Sequence, residues 1–352
     1  MKIKSLRVSI YLLTIVAILV SCNKDENTVT FQERDRTEQQ ITDKDSILNY
    51  LSTHYYNSGF FETGSNHKYT DIIITERAVD DEGNYLPIPE EQTLLINVVE
   101  TKTTTYFDTD YEYYILRINQ GGGESPKFTD AVRVRYEGTS TENEDPFDSR
   151  ITPEEILLTG NGFTSFGAVR AWQLILPTFN SALDFNIDGT GNVDFNNYGL
   201  GIMFAPSGLA YFSGTNTGRS YDNLIFKFDL LQVEEFDHDN DGLPSHVEDL
   251  DNDLDVGNND TDDNNLANFI DIDDDGDDVL TINELIPNEY IINTNNGEEE
   301  PVLGANEYER SRSENSGVIT IKTVTIADSN NDGTPDYLDA DVSTNYNEDD
   351  GN

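Results

Sequence analysis

The apolar positions of the chain follow several rhythms. After the basic start MKIKSLR comes a run of apolar or near-apolar residues, VSIYLLTIVAILV, ending at Ser21-Cys22. That run is too short for an ordinary membrane span, and basic start, short apolar run and small residue together read as a secretory signal over 1–21. Residues 22–43 are polar without apolar period and are expected to be a flexible tether. Helical spacing then sets in at Ile47, Leu48 and Leu51 behind Asp45, predicting a short helix. Between 70 and 118 the β-branched and aromatic runs DIIIT, TLLINVVET, TTTYFD and YEYYILRI, parted by DDEGN and DTD, predict several strands. Strict alternation follows at Val132, Val134 and Tyr136 and again along Leu224–Leu230, and Gly201–Ala205 before Pro206 reads as a further strand. Val169, Trp172 and Leu176 fall at helical spacing until Pro177 stops them, so only a short helix fits there. The expected class is α+β, an antiparallel sheet wrapped on a short helix. It divides into an α+β region over 44–118, for which no motif gives a role, a second domain over 119–236, and a loop-rich region over 237–352.

Charge sharpens that last boundary. The chain of 352 residues holds 68 Asp and Glu against 21 Lys and Arg, a formal charge of −47, which excludes nucleic acid as a partner. Residues 237–352 alone hold 33 acids against 3 bases. With 17 Phe and 18 Tyr the chain still has the means for a packed core. Its single cysteine, Cys22, allows no internal disulfide. Leu19-Val20-Ser21-Cys22 resembles the bacterial lipobox, which implies lipidation of Cys22 and a cell-envelope protein held to a membrane, the outer membrane being expected.

The order of motifs in the second domain is informative: Tyr136-Glu137-Gly138, Pro146-Phe147-Asp148-Ser149, Val169-Arg170-Ala171-Trp172, Ala205-Pro206-Ser207-Gly208-Leu209-Ala210-Tyr211 and Leu224-Ile225-Phe226. Together they resemble the FKBP-type peptidyl-prolyl isomerases over roughly 115–236. Rotation about an X-Pro bond faces an amide barrier of about 18–20 kcal/mol, yet no bond is made or broken, so neither nucleophile nor metal is needed. An aromatic cup that desolvates the prolyl amide favours the twisted transition state. Tyr136, Phe147, Trp172 and Phe226 are expected around the proline ring. The resemblance implies Trp172 as floor, Asp148 beside the reacting carbonyl, Phe163 as a further wall, and the Val169 N–H and Tyr211 hydroxyl as hydrogen-bond donors to the substrate chain. Phe212 and Thr217-Gly218 depart from the family pattern. The expected partners are proline-containing exported polypeptides; the alternative is a non-catalytic adaptor that uses the same domain for calcium-dependent binding.

In the acidic third, Asp237, Asp239, Asp241, Ser245 and Glu248 stand at positions 1, 3, 5, 9 and 12 of a loop with Gly242 at 6. Alternate oxygens around a sharp glycine turn suit a hard cation such as calcium. Asp328, Asn330, Asp332, Asp336 and Asp339 repeat the frame around Gly333. Asp260, Asp262, Asn264 and Asp271 form a third frame without the glycine, and Asp271, Asp273, Asp275 and Asp277, with Glu284 as a late closing ligand, form a fourth. The units resemble thrombospondin type 3 or dockerin-like calcium repeats; the other reading is a solvated acidic tail.

Overall fold

A computed structural model describes residues 32–161 and 167–347. The secretory signal, Cys22 and Phe163 therefore lie outside the described residues. The chain divides into two compact units, Met1–Asp35 and Arg36–Asn352. Of the first, residues 32–35 are described and form neither helix nor strand.

The second unit opens with helix α1 (Arg36–Thr53), which begins inside the segment expected as a tether. Its first half is polar but not free. Asp43 is 1% exposed, and its Oδ2 accepts the Ser207 N–H at 2.9 Å and the Ser207 hydroxyl at 2.6 Å. This long-range anchoring, absent from any local pattern, extends the helix upstream of the apolar residues. Three short strands, β1 (His54–Tyr56), β2 (Ile74–Glu76) and β3 (Thr93–Leu94), pair in the order β2-β1-β3.

The main sheet is built from β4 (Glu100–Tyr106), β5 (Thr109–Asn119), β6 (Ala131–Ser140) and β7 (Asp148–Leu157), and from two later strands. Between these come helix α2 (Arg170–Ile175) and a hairpin of β8 (Asp184–Ile187) and β9 (Val193–Asn196); β10 (Gly199–Ala205) and β11 (Leu224–Glu234) complete the sheet. Its order is β4-β5-β10-β11-β6-β7, antiparallel throughout. Side chains alternate between faces, and here both faces are covered. Tyr113, Ile115, Val134, Met203 and Phe228 pack toward Trp172, Ile175 and Phe179 of the α2 segment. Tyr114, Leu116, Ile202 and Phe204 share the opposite cluster with Ile47, Tyr50 and Leu51 of α1. Ile47 and Leu51 are 0% exposed, and burial of each contributes roughly 1.5–3 kcal/mol.

A boundary at 118/119 would cut through β5. The region over 44–118 is thus not a body of its own: its helix covers one face of the sheet and its last two strands extend that sheet. Among the described residues no helix is long and apolar enough to cross a membrane.

The acidic third contains regular structure that its composition conceals. After α3 (Thr281–Glu284), β12 (Leu285–Asn293), β13 (Glu307–Asn315) and β14 (Val318–Ile326) form an antiparallel sheet in the order β12-β14-β13. The alternating VITIKTVTI of β14 carries the signal, which the density of acids around it outweighed. Leu243, Leu285, Val324 and Tyr337 form one buried cluster, so the segments around 243 and 337 share a small core although nearly a hundred residues part them.

Candidate functional site

The aromatic residues singled out in the sequence converge where β6, β11, the start of β7 and α2 meet. Trp172 and Phe226 stand 5.1 Å apart, Tyr136 and Trp172 5.3 Å, Phe147 and Phe226 5.7 Å, and Tyr136 and Phe226 6.0 Å between ring centroids, all edge to face. This orientation sets the positive ring edge against a negative ring face. Phe147 also meets Tyr211 edge to face at 6.4 Å. Trp172 and Phe226 are buried, at 4% and 3% exposed, whereas Phe147 and Tyr211 keep part of their surface open. The deep members thus form a floor and the outer ones a rim.

Gly138, paired with Phe226 across β6 and β11, explains how these rings approach the backbone. A Cβ there would lie 2.6 Å from the Phe226 ring and 2.9 Å from the Phe147 ring. Only glycine leaves that space.

The Tyr136 hydroxyl donates to Asp148 Oδ2 at 2.7 Å, and the Arg150 guanidinium pairs with Asp148 Oδ1. Burial, then the Asp148 carboxylate, pushes the Tyr136 hydroxyl far above its ordinary pKa, so it remains a neutral donor. Tyr211 is raised by the same two causes in the same order. Val169 precedes α2 with an extended backbone, and its carbonyl accepts the Trp172 N–H at 2.9 Å, closing the first turn beneath the floor ring. Tyr211 is held by the 3-10 turn Ser207–Leu209, itself anchored to Asp43 of α1. Asp43 belongs to the segment expected as a flexible tether, yet it fixes the segment that carries Tyr211.

Among the described residues of the acidic third, carboxylates gather into four groups, each with oxygens within 4.8 Å of one another: Asp237, Asp239 and Asp241; Asp241, Glu248 and Asp274; Asp273, Asp275 and Asp277; and Asp249, Asp251 and Asp253. Three of the four use residues expected from the loop frames. Asp274 lies between the ligand positions of its frame and reaches the other loop, which spacing within one loop could not reveal. The alternation in DLDNDLD over 249–255 is the local signal that brings Asp249, Asp251 and Asp253 together.

Burial sets the group of Asp241, Glu248 and Asp274 apart from a solvated acidic face. Asp241, Glu248, Asp274 and Glu284 are at most 2% exposed. Both oxygens of Glu248, Asp274 and Glu284, and one each of Asp239, Asp241, Asp273, Asp275 and Asp277, have no hydrogen-bond partner among the described residues. Desolvation, then mutual repulsion, raises Asp239 to about 9, Asp274 to about 10 and Glu284 to about 9. Burial, opposed in part by hydrogen bonding and reinforced by Asp237, takes Asp241 to about 7. Orphaned, buried, all-oxygen donors of one sign fit a hard divalent cation that takes roughly six to eight oxygens.

The other expected ligands are used differently. The buried Ser245 hydroxyl lies 2.8 Å from His238 Nδ1 and accepts the His238 N–H at 3.1 Å. Asp260 accepts the N–H groups of Asn264 and Asn265, while the Asn264 amide donates to Asp262 at 3.0 Å and to Asp271 at 2.6 Å. Asp328 accepts the Gly333 N–H at 3.1 Å, and the Asn330 amide donates to Asp332 and Asp339. Asp336, 1% exposed, accepts the Ser329 N–H at 2.7 Å and the Tyr346 hydroxyl at 2.8 Å.

Residues 238–302 match the family model described as BamM C-terminal. No curated protein matches the chain. Among solved structures it is similar to a peptidyl-prolyl cis-trans isomerase from Pseudomonas syringae pv. tomato, with 18% identity over 35% of this chain and 75% of that one and a TM-score of 0.27. It is similar to FkpA from Escherichia coli, with 23% identity, 38% and 53% coverage and a TM-score of 0.28, and so spans about half the length of that protein. A third similarity is to the N-terminal domain of FKBP42 from Arabidopsis thaliana, with 12% identity, 35% and 87% coverage and a TM-score of 0.27.

Proposed function

We propose that the aromatic site is the prolyl-binding cup of a peptidyl-prolyl cis-trans isomerase, carried on an envelope lipoprotein acylated at Cys22 and acting on exported polypeptides. The carrying observation is the edge-to-face cluster of Tyr136, Phe147, Trp172 and Phe226, closed at one side by the 2.7 Å bond from Tyr136 to Asp148. Trp172 and Phe226 receive the proline ring, and the rim rings of Phe147 and Tyr211 exclude water from the amide. A twisted amide is less dipolar than a planar one and loses less on leaving water, so a dry cup lowers the barrier. The Tyr211 hydroxyl and the Val169 N–H hold the flanking chain, which prevents the whole peptide from turning with the bond.

A second reading, an adaptor that binds prolyl segments without turnover, draws on Asp148. Tyr136 occupies one of its oxygens and Arg150 the other, so both oxygens of that carboxylate already have partners before a substrate arrives. A proline-limited refolding assay separates the two. Trp172→Leu is expected to lower wild-type catalysis by tenfold or more while circular dichroism stays native; under the adaptor reading wild type is inactive yet binds a prolyl peptide. An active wild type unaffected by Trp172→Leu would remove the cup from the mechanism.

Calcium belongs to the same proposal as a structural ion of the acidic third. Asp237, Asp239, Asp241, Glu248 and Asp274 would hold it in one region, and Asp273, Asp275, Asp277 and Glu284 in another. When bound it supplies the positive charge that turns converging carboxylates from repulsive to attractive.

A further inference from the structure

One buried cation connects the acidic third with the aromatic cup. Arg170 opens α2, the helix that carries Trp172, and is only 9% exposed. Its Nη1 donates to the Leu254 carbonyl at 2.5 Å and to Gln173 Oε1 at 2.9 Å, and its Nη2 donates to the Asp253 carbonyl at 3.2 Å. Its guanidinium carbon lies 5.1 Å from the centre of the Tyr106 ring on β4. One side chain therefore ties together the sheet edge, the floor helix and an acidic loop. A helix of six residues without a side-chain cap has little stability of its own, so its seating depends on tertiary contacts of this kind.

Carboxylates aim the carbonyls that receive this fork. Asp249 accepts the N–H of Asp253 at 3.1 Å on one oxygen and that of Leu254 at 3.0 Å on the other. Asn252 and Leu254 sit at φ of 58° and 65°, a left-handed region that leucine enters only under constraint. Asp249 directly follows Glu248, whose fully buried carboxylate converges with Asp241 and Asp274. A cation gathered by those three fixes Glu248; the next residue begins the turn that grips Arg170, two positions before Trp172.

We propose that Arg170 is a positioning residue through which divalent-cation binding in the acidic third sets the affinity of the aromatic cup for prolyl peptides. The proposal rests on the reading of the cup and of the carboxylate groups given above.

Trp172 is the chain's single tryptophan, so its emission reports on the cup without reference to activity. The full mature chain is chelated and then titrated with calcium chloride, following Trp172 emission and, separately, the affinity for a labelled Leu-Pro peptide. Wild type is expected to shift its emission and to lose about fivefold or more in peptide affinity on chelation, the lower end of ordinary coupling between sites. In Arg170→Met both readouts become insensitive to calcium, and Arg170→Lys, which keeps a donor but not the planar fork, recovers part of the response. Asp249→Ala leaves Arg170 in place and is expected to behave like Arg170→Met while calorimetry still registers calcium uptake, which separates lost coupling from lost binding or misfolding. Wild-type emission that ignores calcium, or an Arg170→Met and an Asp249→Ala that both respond as wild type does, would overturn the proposal. A wild type that bound no prolyl peptide would refute the reading of the cup, and the coupling would then stand or fall on the emission response alone.

Discussion

Removing the charge of Asp274 is expected to act in opposite directions with and without calcium. The side chain is 1% exposed, and neither oxygen has a partner among the described residues. Burial, then the charges of Asp241 and Asp239, lifts its carboxyl from 3.8 to about 10. In the cation-free chain such a group is protonated when folded and ionised when unfolded, across the window between those two values. The unfolded state then binds fewer protons, so stability is greatest below about pH 4 and falls as pH rises toward 10. At about pH 7 the carboxyl costs the metal-free fold on the order of 4 kcal/mol relative to acid. Asp274→Asn abolishes that cost but buries an amide whose unmet hydrogen bonds cost about 1–3 kcal/mol. The net expectation in chelator is a gain of roughly 1–3 kcal/mol near neutral pH that vanishes or reverses near pH 4. In saturating calcium the sign inverts, because one neutral oxygen replaces a carboxylate in the group with Asp241 and Glu248. Urea unfolding of the acidic third, followed by limited proteolysis at both pH values with chelator and with calcium, measures all four quantities. An Asp274→Asn variant that is less stable than wild type in chelator at neutral pH, or that keeps the whole calcium increment, would refute the reasoning.

Three further outcomes are expected, two from the geometry of the cup and one from the sequence at Cys22. Gly138→Ala would set a methyl 2.6 Å from the Phe226 ring, so the cup must deform; a loss of about 1–3 kcal/mol in denaturant unfolding and weakened prolyl-peptide binding are expected. Tyr136→Phe removes the 2.7 Å bond to Asp148 and should cost roughly 1.5–3 kcal/mol in the same measurement; an unchanged midpoint would mean that this bond contributes nothing net. Cys22→Ser should abolish acylation and leave the protein unprocessed or soluble outside the cytoplasm, as read by fractionation and mass spectrometry of the N-terminus; membrane association of a processed Cys22→Ser chain would refute the lipobox reading.

Alternation and short-range spacing were enough to read the strands around Val132–Tyr136 and Leu224–Leu230 and the short helix bearing Trp172; the grouping of Tyr136, Phe147, Trp172 and Phe226 came from the order of motifs that resembles the FKBP-type isomerases. The strand and helix signals are local: period two selects one face of a strand, and a helix stopped by Pro177 has few residues to offer. The convergence of Asp237, Asp239 and Asp241 was legible for the same reason, since their spacing is fixed within one turn of chain. Tertiary structure alone decided what non-local contacts govern. The start of α1 at Arg36 depends on Asp43 meeting Ser207, 164 residues away. The union of β4 and β5 with β10 and β11 depends on hydrogen bonds between strands whose pairing no single segment encodes. Asp274 joined Glu248 because two loops fold against each other, and Arg170 reached Leu254 because an acidic turn aims its carbonyls at the floor helix. A sequence specifies which side chains share a face through its local period; which faces meet is set by the burial and hydrogen bonding of the whole chain, where long-range contacts outweigh local preference.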